Sequence, residues 1–488
     1  MGLKFFNTLA RSVQEFVPLD AAGNKVGMYC CGPTVYDFAH IGNWRTFVFG
    51  DLVRRYLEFK GYEVRHVMNV TDVEDKIIRR VRETKTTLRE FTGQFETAFF
   101  DDLKALNCLA PHVTPRATEF IAEIIALIEK LIARGIAYQA ADGSVYFSIE
   151  KYRGCGCTYG QLVKLNFDEM RVGERVKSDE YEKESAADFA LWKTRVPDDG
   201  EVFWPSPWGE GRPGWHIECS AMSMQILGSS FDLHLGGEDL VFPHHEDEIA
   251  QSEGAGVQSD GQRFVKYWLH GAFLLVEGKK MSKSLGNFFT LRDLAAKGFS
   301  GREVRYSLMQ AHYRETFNFT LDGLTGARTA LARIDECVGK LREVGAPSSS
   351  SAQNDSPTEP QRAELELGAP SALPTRFAEA MDEDLNISAA WATVFDWVRE
   401  TNKRLAENSL APPEAAAMLA VWGKVNSVLG IGSAAEAEAP PEIGALLAAR
   451  QAARKAKDFK RSDEIRDELK AKGWVVEDSP KGPKLKKL

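Results

Sequence analysis

The sequence predicts an α/β protein in which a Rossmann-type parallel sheet is split by an insertion and is followed by a helical bundle and a small C-terminal α/β unit. Short apolar runs alternate with helical stretches early in the chain, strand-like runs return later, and the pattern then becomes helical. Alternating strands and helices are typical of parallel sheets, because their crossover connections are helical. We therefore predict a first domain at 1–300 with an insertion at about 88–208, a bundle at 301–431 and a terminal unit at 432–488.

The elements of the parallel sheet follow from apolar periodicity. Residues 27–32 read as a short buried strand ending in a glycine, residues 40–60 show the three- and four-residue spacing of a helix, and residues 64–70 read as the next strand. We interpret the insertion as helical and irregular. Beyond it, strand patterns resume at 231–236 and 267–276, which indicates one sheet interrupted in sequence.

The second half of the chain is predicted to be mainly helical. A stretch rich in Ser, Pro and Glu, residues 345–374, has the composition of a flexible segment within the bundle. Helical patterns follow at 376–407 and 413–429. A low-complexity joint at 432–441 then leads to two more helices and a short strand at 474–477.

Composition and charge narrow the class of protein. No apolar run reaches the roughly 18 residues of a membrane span, and the N-terminus lacks the apolar core of a secretion signal. Seven irregularly spaced cysteines do not form a disulfide scaffold, so we predict a cytoplasmic protein with thiols free for metal.

Residues 450–488 carry 13 basic and 7 acidic side chains, a net charge of +6 on a chain of −9. This suits a contact with a phosphate backbone, the alternative being a solvated helix with a Lys-rich end.

Two motifs suit the binding of nucleotide phosphates. His40, Gly42 and Asn43 belong to a His-Ile-Gly-Asn turn at the start of a predicted helix, where unpaired N–H groups and the helix dipole favour an anion. Lys280 and Lys283 lie in Lys-Met-Ser-Lys-Ser after an apolar strand, and ammonium groups on such a loop can stabilise charge that develops on a phosphate. The alternatives are an ordinary helix start and an exposed basic turn.

A third motif, Gly-Gly-Glu-Asp, follows the strand predicted at 231–236. Asp239 would lie at the carboxyl end of a parallel strand, beside Gly237, where it could accept hydrogen bonds from ribose hydroxyls. The motif alone also fits a simple turn.

Four scattered side chains form a candidate zinc set. Cys31 ends the first strand, Cys219 lies in a Trp-His-Ile-Glu-Cys run, and His244 and Glu248 are four residues apart on a predicted helix, so they share a face. Two thiolates, one imidazole and one carboxylate are an acceptable ligand set for zinc. The cysteines are too far apart for a zinc finger, so spacing alone favours buried structural cysteines. His245 could be an alternative ligand or a residue that supports the ligands from behind.

The remaining cysteines carry weaker signals. Cys155 and Cys157 are close in sequence but have no second ligand pair nearby, and the sequence assigns them no function. Cys30 points to the opposite face of its strand from Cys31, which favours a core position. The last two, at positions 108 and 337, read as helix-core residues.

The chain resembles the cysteinyl-tRNA synthetases, a family of class I aminoacyl-tRNA synthetases, over nearly its whole length. The matching segments occur in one order at 28–37, 40–43, 69–76, 188–193, 214–222, 242–248, 280–287 and 462–469. The resemblance implies a nucleotide-binding catalytic domain, a tRNA-binding bundle and an anticodon-binding terminal unit. It also implies that the candidate zinc set binds one zinc ion, which in turn binds the thiolate of substrate cysteine.

The resemblance further implies a two-step reaction. The carboxylate of L-cysteine attacks the α-phosphate of Mg²⁺-bound ATP to give cysteinyl-adenylate, and a terminal ribose hydroxyl of the tRNA for cysteine then accepts the acyl group. His40, Asn43, Lys280 and Lys283 would stabilise the phosphate charge. For substrate cysteine, Trp215 would form a pocket wall, and two further residues, Thr71 and His234, would position it. We expect a monomer without a membrane partner.

Two departures from the family pattern and two alternative functions stand beside this interpretation. Asn43 replaces a second histidine of the common class I signature, and Pro483 and Leu485 replace a usual Thr and Trp, which puts anticodon recognition by the tail in question.

A ligase that joins activated cysteine to an amino-sugar would share both sites but would not need residues 375–488. A non-catalytic paralogue would be expected to lose the lysines or the zinc set, and both are present.

Overall fold

The computed structural model describes residues 2–163, 188–256, 263–282, 285–345, 372–432, 441–456, 458–472, 474–479 and 482–487. The predicted flexible segment, 345–374, lies outside these ranges except at its two ends. Among the described residues, no helix combines the length and apolar character that crossing a membrane requires.

The strands and helices of the described residues are numbered in chain order. The strands are β1 (Lys4–Asn7), β2 (Ser12–Glu15), β3 (Lys25–Cys30), β4 (Glu63–Met68), β5 (Ala137–Gln139), β6 (Val145–Phe147), β7 (Phe189–Thr194), β8 (Gly211–Pro213), β9 (Phe231–Gly237), β10 (Val265–Gly271), β11 (Leu274–Val276), β12 (Lys279–Lys280), β13 (Phe317–Phe319), β14 (Trp474–Ser479) and β15 (Gly482–Lys487). The helices are α1 (Ile41–Phe59), α2 (Asp75–Thr84), α3 (Leu88–Ala105), α4 (Ile121–Ala133), α5 (Ile149–Gly154), α6 (Trp215–Leu227), α7 (Glu246–Gly254), α8 (Leu291–Ala296), α9 (Gly301–Leu308), α10 (Leu321–Gly345), α11 (Leu373–Asp382), α12 (Ile387–Ala406), α13 (Pro412–Leu429), α14 (Pro441–Lys455) and α15 (Phe459–Ala471).

The central sheet is parallel, with strand order β10-β9-β3-β4. Helix α1 connects β3 to β4, as the crossover of a parallel pair requires. The Rossmann-type sheet predicted from the sequence is therefore confirmed, although β9 and β10 join it only after the long insertion. Because the strands are parallel, the ends of β3 and β9 meet at one edge of the sheet, which brings distant parts of the sequence together.

The strand predicted at 267–276 is two strands in the structure. Its first part is β10 of the central sheet, and its second part, β11, pairs with β12 and β13 in a separate three-stranded sheet. The chain changes sheet at Ala272, whose backbone N–H donates to the carbonyl of Tyr313. An unbroken apolar run cannot reveal such a change, because both strands are buried.

The interpretation of the insertion as helical and irregular was wrong in one respect. Besides α3, α4 and α5, it contributes β5, β6 and β7 to a four-stranded antiparallel sheet, β5-β6-β7-β8, whose last strand follows the insertion. Three of these strands have only three residues, too few for a period-two pattern to emerge from the sequence. This sheet encloses a hydrophobic core of its own, formed with one face of α4.

The C-terminal part differs from the prediction at two places. The helical stretch predicted at 376–407 divides into α11 and α12 at Asp384 and Leu385, which both have positive φ angles. The short strand predicted at 474–477 is one arm of the antiparallel hairpin β14–β15. Pro483, read from the sequence as a departure in the tail, lies in the second arm of this hairpin.

A buried ion pair joins the sheet domain to the helical region. The Arg305 guanidinium on α9 is fully buried and lies 2.5 Å from the carboxylate of Asp51 on α1. The same guanidinium donates to the backbone carbonyls of Leu429 and Leu106. Burial by itself would raise the pKa of Asp51, but Arg305 and Arg55 lower it below its usual value.

Replacing Asp51 with asparagine is expected to lower the free energy of unfolding by about 3–5 kcal/mol, because it leaves a buried guanidinium without its counter-charge. Urea unfolding at pH 7 measures the loss. Because the folded-state pKa of Asp51 is lowered, its stabilising contribution is present above the unfolded-state pKa and is lost on acidification. The deficit of the variant should therefore shrink at acidic pH. Asp101→Asn, at an exposed position of α3, is the matched control and should leave stability unchanged; an equal loss in both variants would contradict the assignment.

Candidate active site

The His-Ile-Gly-Asn turn caps helix α1. The Nδ1 atom of His40 accepts the backbone N–H of Asn43 at 3.2 Å, and the backbone N–H of His40 donates to Asn43 Oδ1 at 3.1 Å. This reciprocal capping box satisfies two amide groups of the helix N-terminus. It also fixes the orientation of both side chains. His40 then carries its proton on Nε2, and the NH₂ group of Asn43 is the donor that this side chain can offer to a ligand.

The loop that carries the lysine motif approaches the same helix N-terminus. A Cβ atom on Gly42 would lie 3.0 Å from the Cε atom of Met281 and 3.0 Å from the ring of His40. Glycine thus allows the two motifs to approach each other closely. Lys280 is exposed in β12 at this approach. Lys283 lies outside the described residues, so its predicted role has no structural counterpart.

A cleft of about 350 Å³ opens at the carboxyl edge of the central sheet. It is lined by Cys31 and His40 at one side and by Trp215, Gly237 and Asp239 at the other. A larger cavity of about 540 Å³ lies at the opposite edge, against the amino ends of β3, β4 and β9. We assign ligand binding to the smaller cleft, because α/β sheets bind ligands outside the carboxyl ends of their strands.

The turn after β9 aims a carboxylate at helix α1. A Cβ atom on Gly237 would lie 2.3 Å from Asp239 Oδ1 and 3.5 Å from Thr46 Oγ1, so a side chain at this position would displace the Asp239 carboxylate. Asp239 is exposed and lines the cleft. This is the location that the sequence predicts for a ribose-binding carboxylate.

The four residues of the candidate zinc set lie together and are buried. One ligand atom each from Cys31, Cys219, His244 and Glu248 falls within 4.8 Å of all the others. The two Sγ atoms are 3.9 Å apart, and His244 Nε2 lies 3.1 Å from Glu248 Oε1. With Zn–S bonds near 2.3 Å, two sulfurs of a tetrahedral site would be about 3.8 Å apart. The spacing of the donor atoms therefore fits zinc.

Three elements bring these ligands together. Cys31 follows β3, Cys219 lies in α6, and the other two residues belong to the segment that starts α7. His244 and Glu248 were expected on one regular helix, which is not what the structure shows. His244 belongs to a wide turn, Val241–His245, that precedes α7, and Phe242 within it is extended. The residue before a proline avoids helical geometry, which explains the extended backbone before Pro243.

The pKa values of the side chains in this cluster favour the binding of a cation. A hydrogen bond from Cys31 lowers the pKa of Cys219 to about 6. Burial would raise the pKa of Glu248, but His234 and His244 lower it to about 2. Burial would likewise lower the pKa of His244, but hydrogen bonds to Cys219 and Glu248 raise it to about 10. A thiolate and a carboxylate are thus available to a cation at neutral pH, and the protonated imidazole of His244 offsets one of their two negative charges.

Further histidines surround the ligands. His234 Nε2 lies 2.9 Å from Glu248 Oε2, and His216 Nδ1 lies 2.7 Å from His244 Nδ1. These contacts orient the two ligands, as partners of metal-bound side chains do. His216 was not predicted from the sequence, because a single histidine without a spacing relation carries no local signal.

His245 offers a second way to complete the set. Its Nε2 atom lies 3.4 Å from Cys31 Sγ, and it forms a group with Cys31, His234 and Glu248. Its Nδ1 atom lies 2.7 Å from Nε2 of His270, another histidine that the sequence analysis missed. Burial lowers the pKa of His270 to about 3, so this pair is neutral at physiological pH.

The predicted substrate residues lie in different surroundings. Trp215 is 39% exposed and lines the cleft, with its ring 4.4 Å from the ring of His244. Thr71 is buried and donates a hydrogen bond to Glu218. His234 is fully buried behind the cluster. Trp215 thus lies at the surface of the cleft, whereas the other two are buried beside the cluster, in contact with Glu218 and Glu248.

The other cysteines do not belong to the cluster. Cys30 packs into the main hydrophobic core, on the opposite side from Cys31, and Cys337 is buried on α10. Cys108, expected in a helix core, lies instead in the loop after α3. Among the described residues, no group of three or more candidate metal ligands includes Cys155 or Cys157.

Comparison with protein families divides the chain into three matches. The family "tRNA synthetases class I (C) catalytic domain" matches residues 17–329, the "DALR domain" matches residues 376–433, and the "Cysteinyl-tRNA ligase anticodon binding domain" matches residues 436–483. Among solved structures, methionyl-tRNA synthetase of Mycobacterium tuberculosis in complex with methionyl-adenylate superimposes with a TM-score of 0.57. It is 15% identical and covers 84% of this chain and 90% of its own, so the likeness shows the fold alone.

Curated relatives match over the full length. Cysteine–tRNA ligase of Chlamydia caviae is 46% identical, covering 100% of this chain and 98% of its own, and that of Chlamydia muridarum is 45% identical, covering 100% of both. The corresponding ligase of Protochlamydia amoebophila is 43% identical over 99% of this chain and 98% of its own. The chain therefore belongs to the cysteine–tRNA ligases, class I aminoacyl-tRNA synthetases that attach cysteine to tRNA at the expense of ATP.

Proposed function

We propose that the chain activates L-cysteine as cysteinyl-adenylate and that a zinc ion held in the buried cluster selects the substrate thiolate. The observation that carries this proposal is the buried cluster of Cys31, Cys219, His244 and Glu248, of which Cys31 lines the cleft. His40 and Asn43 line the same cleft, and the loop that carries Lys280 approaches them at Gly42. A cysteine whose sulfur lies at the cluster would extend its carboxylate towards His40 and bound ATP.

The chain's own residues would act on the phosphates by position and charge. His40 Nε2 and the Asn43 amide are hydrogen-bond donors at a helix N-terminus, where the dipole favours negative charge. Lys280 adds a positive charge from the opposing loop, and we propose the same role for Lys283. Mg²⁺ would accompany ATP as part of the substrate. Donors aimed at developing charge stabilise a transition state without any covalent intermediate on the enzyme.

The nucleoside of ATP would lie between α1 and the turn after β9. Gly42 and Gly237 leave room for a close approach of the nucleotide to the backbone, and Asp239 would accept hydrogen bonds from the ribose hydroxyls. This proposal places the three sequence motifs around one nucleotide.

The donor set explains the choice of amino acid. When bound, zinc would supply a soft Lewis acid that prefers sulfur to the hydroxyl oxygen of serine. Cys31, Cys219, His244 and Glu248 would hold it, and Trp215 would cover it from the cleft. Shape alone distinguishes near-isosteres by only about 10–200-fold, whereas a required polar contact can contribute roughly 10⁴–10⁵-fold. The selection against serine would then need no editing domain.

The C-terminal regions would bind the tRNA. We propose a catalytic domain at 1–300, a tRNA-binding bundle at 301–431 and an anticodon-binding unit at 432–488, in a monomeric cytoplasmic enzyme. The net charge of +6 on residues 450–488 supports contact with a phosphate backbone. The anticodon-binding match in this region speaks against the amino-sugar ligase, which would not need it.

The exchange of pyrophosphate into ATP tests the adenylate and the role of the metal. We expect exchange with cysteine in the absence of tRNA, no measurable exchange with serine, and loss of the activity after removal of the metal with a chelator. Restoration by added zinc should follow. Exchange that requires tRNA would argue against a free adenylate, and exchange that survives complete metal removal would argue against selection by zinc. Charging of tRNA by the same preparation would separate the synthetase from the small-molecule ligase.

A further inference from the structure

A chain of hydrogen bonds spans the region between the two thiol ligands. The backbone N–H of Gly32 donates to Asn69 Oδ1 at 2.9 Å, and Asn69 Nδ2 donates to Thr71 Oγ1 at 3.3 Å. Thr71 Oγ1 in turn donates to Glu218 Oε2 at 3.2 Å. The chain starts at the residue after Cys31 and ends at the residue before Cys219. It therefore runs along the floor of the proposed cysteine site.

The direction of the first two bonds in this chain is fixed, and that of the third is set when Glu218 is ionised. A backbone N–H can only donate, so Asn69 must turn its oxygen towards Gly32 and its NH₂ group towards Thr71. The Thr71 hydroxyl has one proton, which it gives to Glu218, and it accepts from Asn69. A hydroxyl oxygen has two acceptor positions, so Thr71 keeps one for another donor. Glu218 thereby turns an ambivalent hydroxyl into an acceptor.

Glu218 itself is an unusual group to bury. Its side chain has no exposed surface, and among the described residues its Oε1 atom has no hydrogen-bond partner. Asp72, a second buried carboxylate, adds negative charge nearby and is hydrogen-bonded to Thr118. Burial, together with Cys219 and Asp72, raises the pKa of Glu218 well above its usual value, so its ionised form requires a cation nearby. The arrangement is explained if a cation with hydrogen-bond donors completes it.

We propose that Glu218 is a positioning residue for the α-ammonium group of substrate cysteine, which it serves by holding the Thr71 hydroxyl as an acceptor. The inference rests on the proposed function, because it takes the substrate sulfur to lie at Cys31 and Cys219. Two carbon atoms separate the ammonium nitrogen of cysteine from its sulfur, so the nitrogen must lie close to these ligands. An ammonium group has three donors and no acceptor, and it therefore requires acceptors such as this hydroxyl.

Calorimetric titration with two ligands tests the assignment. Cysteine carries the ammonium group, whereas 3-mercaptopropionate has the same thiol and carboxylate without it. In the zinc-loaded protein, Glu218→Met should weaken the binding of cysteine by about 10-fold or more, the typical effect of losing a hydrogen bond to a charged group. Its affinity for 3-mercaptopropionate should change by less than about threefold. Glu218→Gln, which keeps an oxygen acceptor, should lose less affinity for cysteine than Glu218→Met.

Two variants of Thr71 provide an independent line. Thr71→Val removes the hydroxyl and should weaken the binding of cysteine more than that of 3-mercaptopropionate. Thr71→Ser, which keeps the hydroxyl, should retain the binding of both ligands. Because Glu218 acts through Thr71, the double variant Thr71→Val/Glu218→Met should bind cysteine no more weakly than the more affected single variant. If Glu218→Met does not fold, the Thr71 pair decides. Ser223→Ala is the matched control, since its hydroxyl donates only to a carbonyl of its own helix, α6.

The outcomes separate this inference from the proposed function. If Glu218→Met and Thr71→Val weakened the binding of cysteine and of 3-mercaptopropionate equally, or changed neither, the role of Glu218 would be overturned. Cysteine activation would remain intact. Independent, additive losses in the double variant would also overturn it. A wild-type protein that binds zinc but does not exchange pyrophosphate with cysteine would instead overturn the proposed function.

Discussion

Replacing Cys219 with alanine is expected to remove the bound zinc and to lower cysteine-dependent pyrophosphate exchange by about 10⁴-fold. The thiol is 1% exposed, and its sulfur lies 3.9 Å from that of Cys31. Without it, only three donors of the set remain, Cys31, His244 and Glu248. The substrate thiol would then lose the interaction that distinguishes it from a hydroxyl. Metal analysis of the purified protein and the exchange assay measure the two effects.

Cys30→Ala is the matched control for this prediction. Cys30 neighbours Cys31 in sequence and is also buried, but it packs in the main core against the backbone of Gly50. Its loss should cost about 1 kcal/mol of stability and should leave zinc content and exchange unchanged. If Cys219→Ala retained one zinc per chain and normal exchange, the ligand set would be wrong. If Cys30→Ala lost its zinc and Cys219→Ala did not, Cys30 would be a zinc ligand and the assignment to its neighbour Cys31 would be wrong.

Replacing Asn43 with aspartate is expected to separate stability from activity. The new carboxylate can still accept the backbone N–H of His40, and a negative charge at a helix N-terminus stabilises the helix by about 0.3–1 kcal/mol. The same change removes the amide donor and places an anion against the phosphates of ATP. Losing one such donor typically lowers the rate by about 10²–10³-fold. Thermal unfolding and exchange kinetics at varied ATP concentration should therefore move in opposite directions.

Asn386→Asp is the control for the helix-capping part of this result. Asn386 is the N-cap residue of α12, its Oδ1 accepts the backbone N–H of Ala389, and it is not among the residues that line the cleft. This variant should gain a similar small stability and keep full exchange activity. An Asn43→Asp protein with unchanged exchange would show that the side chain serves only as a cap and does not contact phosphate.

The sequence predicts the parts of the fold that repeat a strong local pattern. The alternation around β3, α1 and β4 was sufficient to predict a parallel sheet, because each element is long enough to show its period. The three-residue strands of the insertion and the transfer from β10 to β11 left no such pattern. Pairing between strands depends on tertiary contacts that a single sequence does not display.

The candidate site divides in the same way. The capping turn at His40 and the loop at Lys280 are local motifs and could be located directly. The zinc set could not be assigned from spacing, since Cys31 and Cys219 are 188 residues apart, and the family resemblance was needed to single it out. Glu218 and His216 carry no signal in one sequence, because their importance comes from burial and partners. The catalytic roles of all these residues stay predictions.

X-ray absorption at the zinc edge tests the central claim most directly, because it counts the sulfur atoms bound to the metal. The account predicts two sulfurs at about 2.3 Å in the zinc-loaded protein alone and three after addition of cysteine. Serine should leave the count at two. A count that stays at two with saturating cysteine would contradict selection of the substrate through its thiolate, and would make the metal a structural part of the cleft floor.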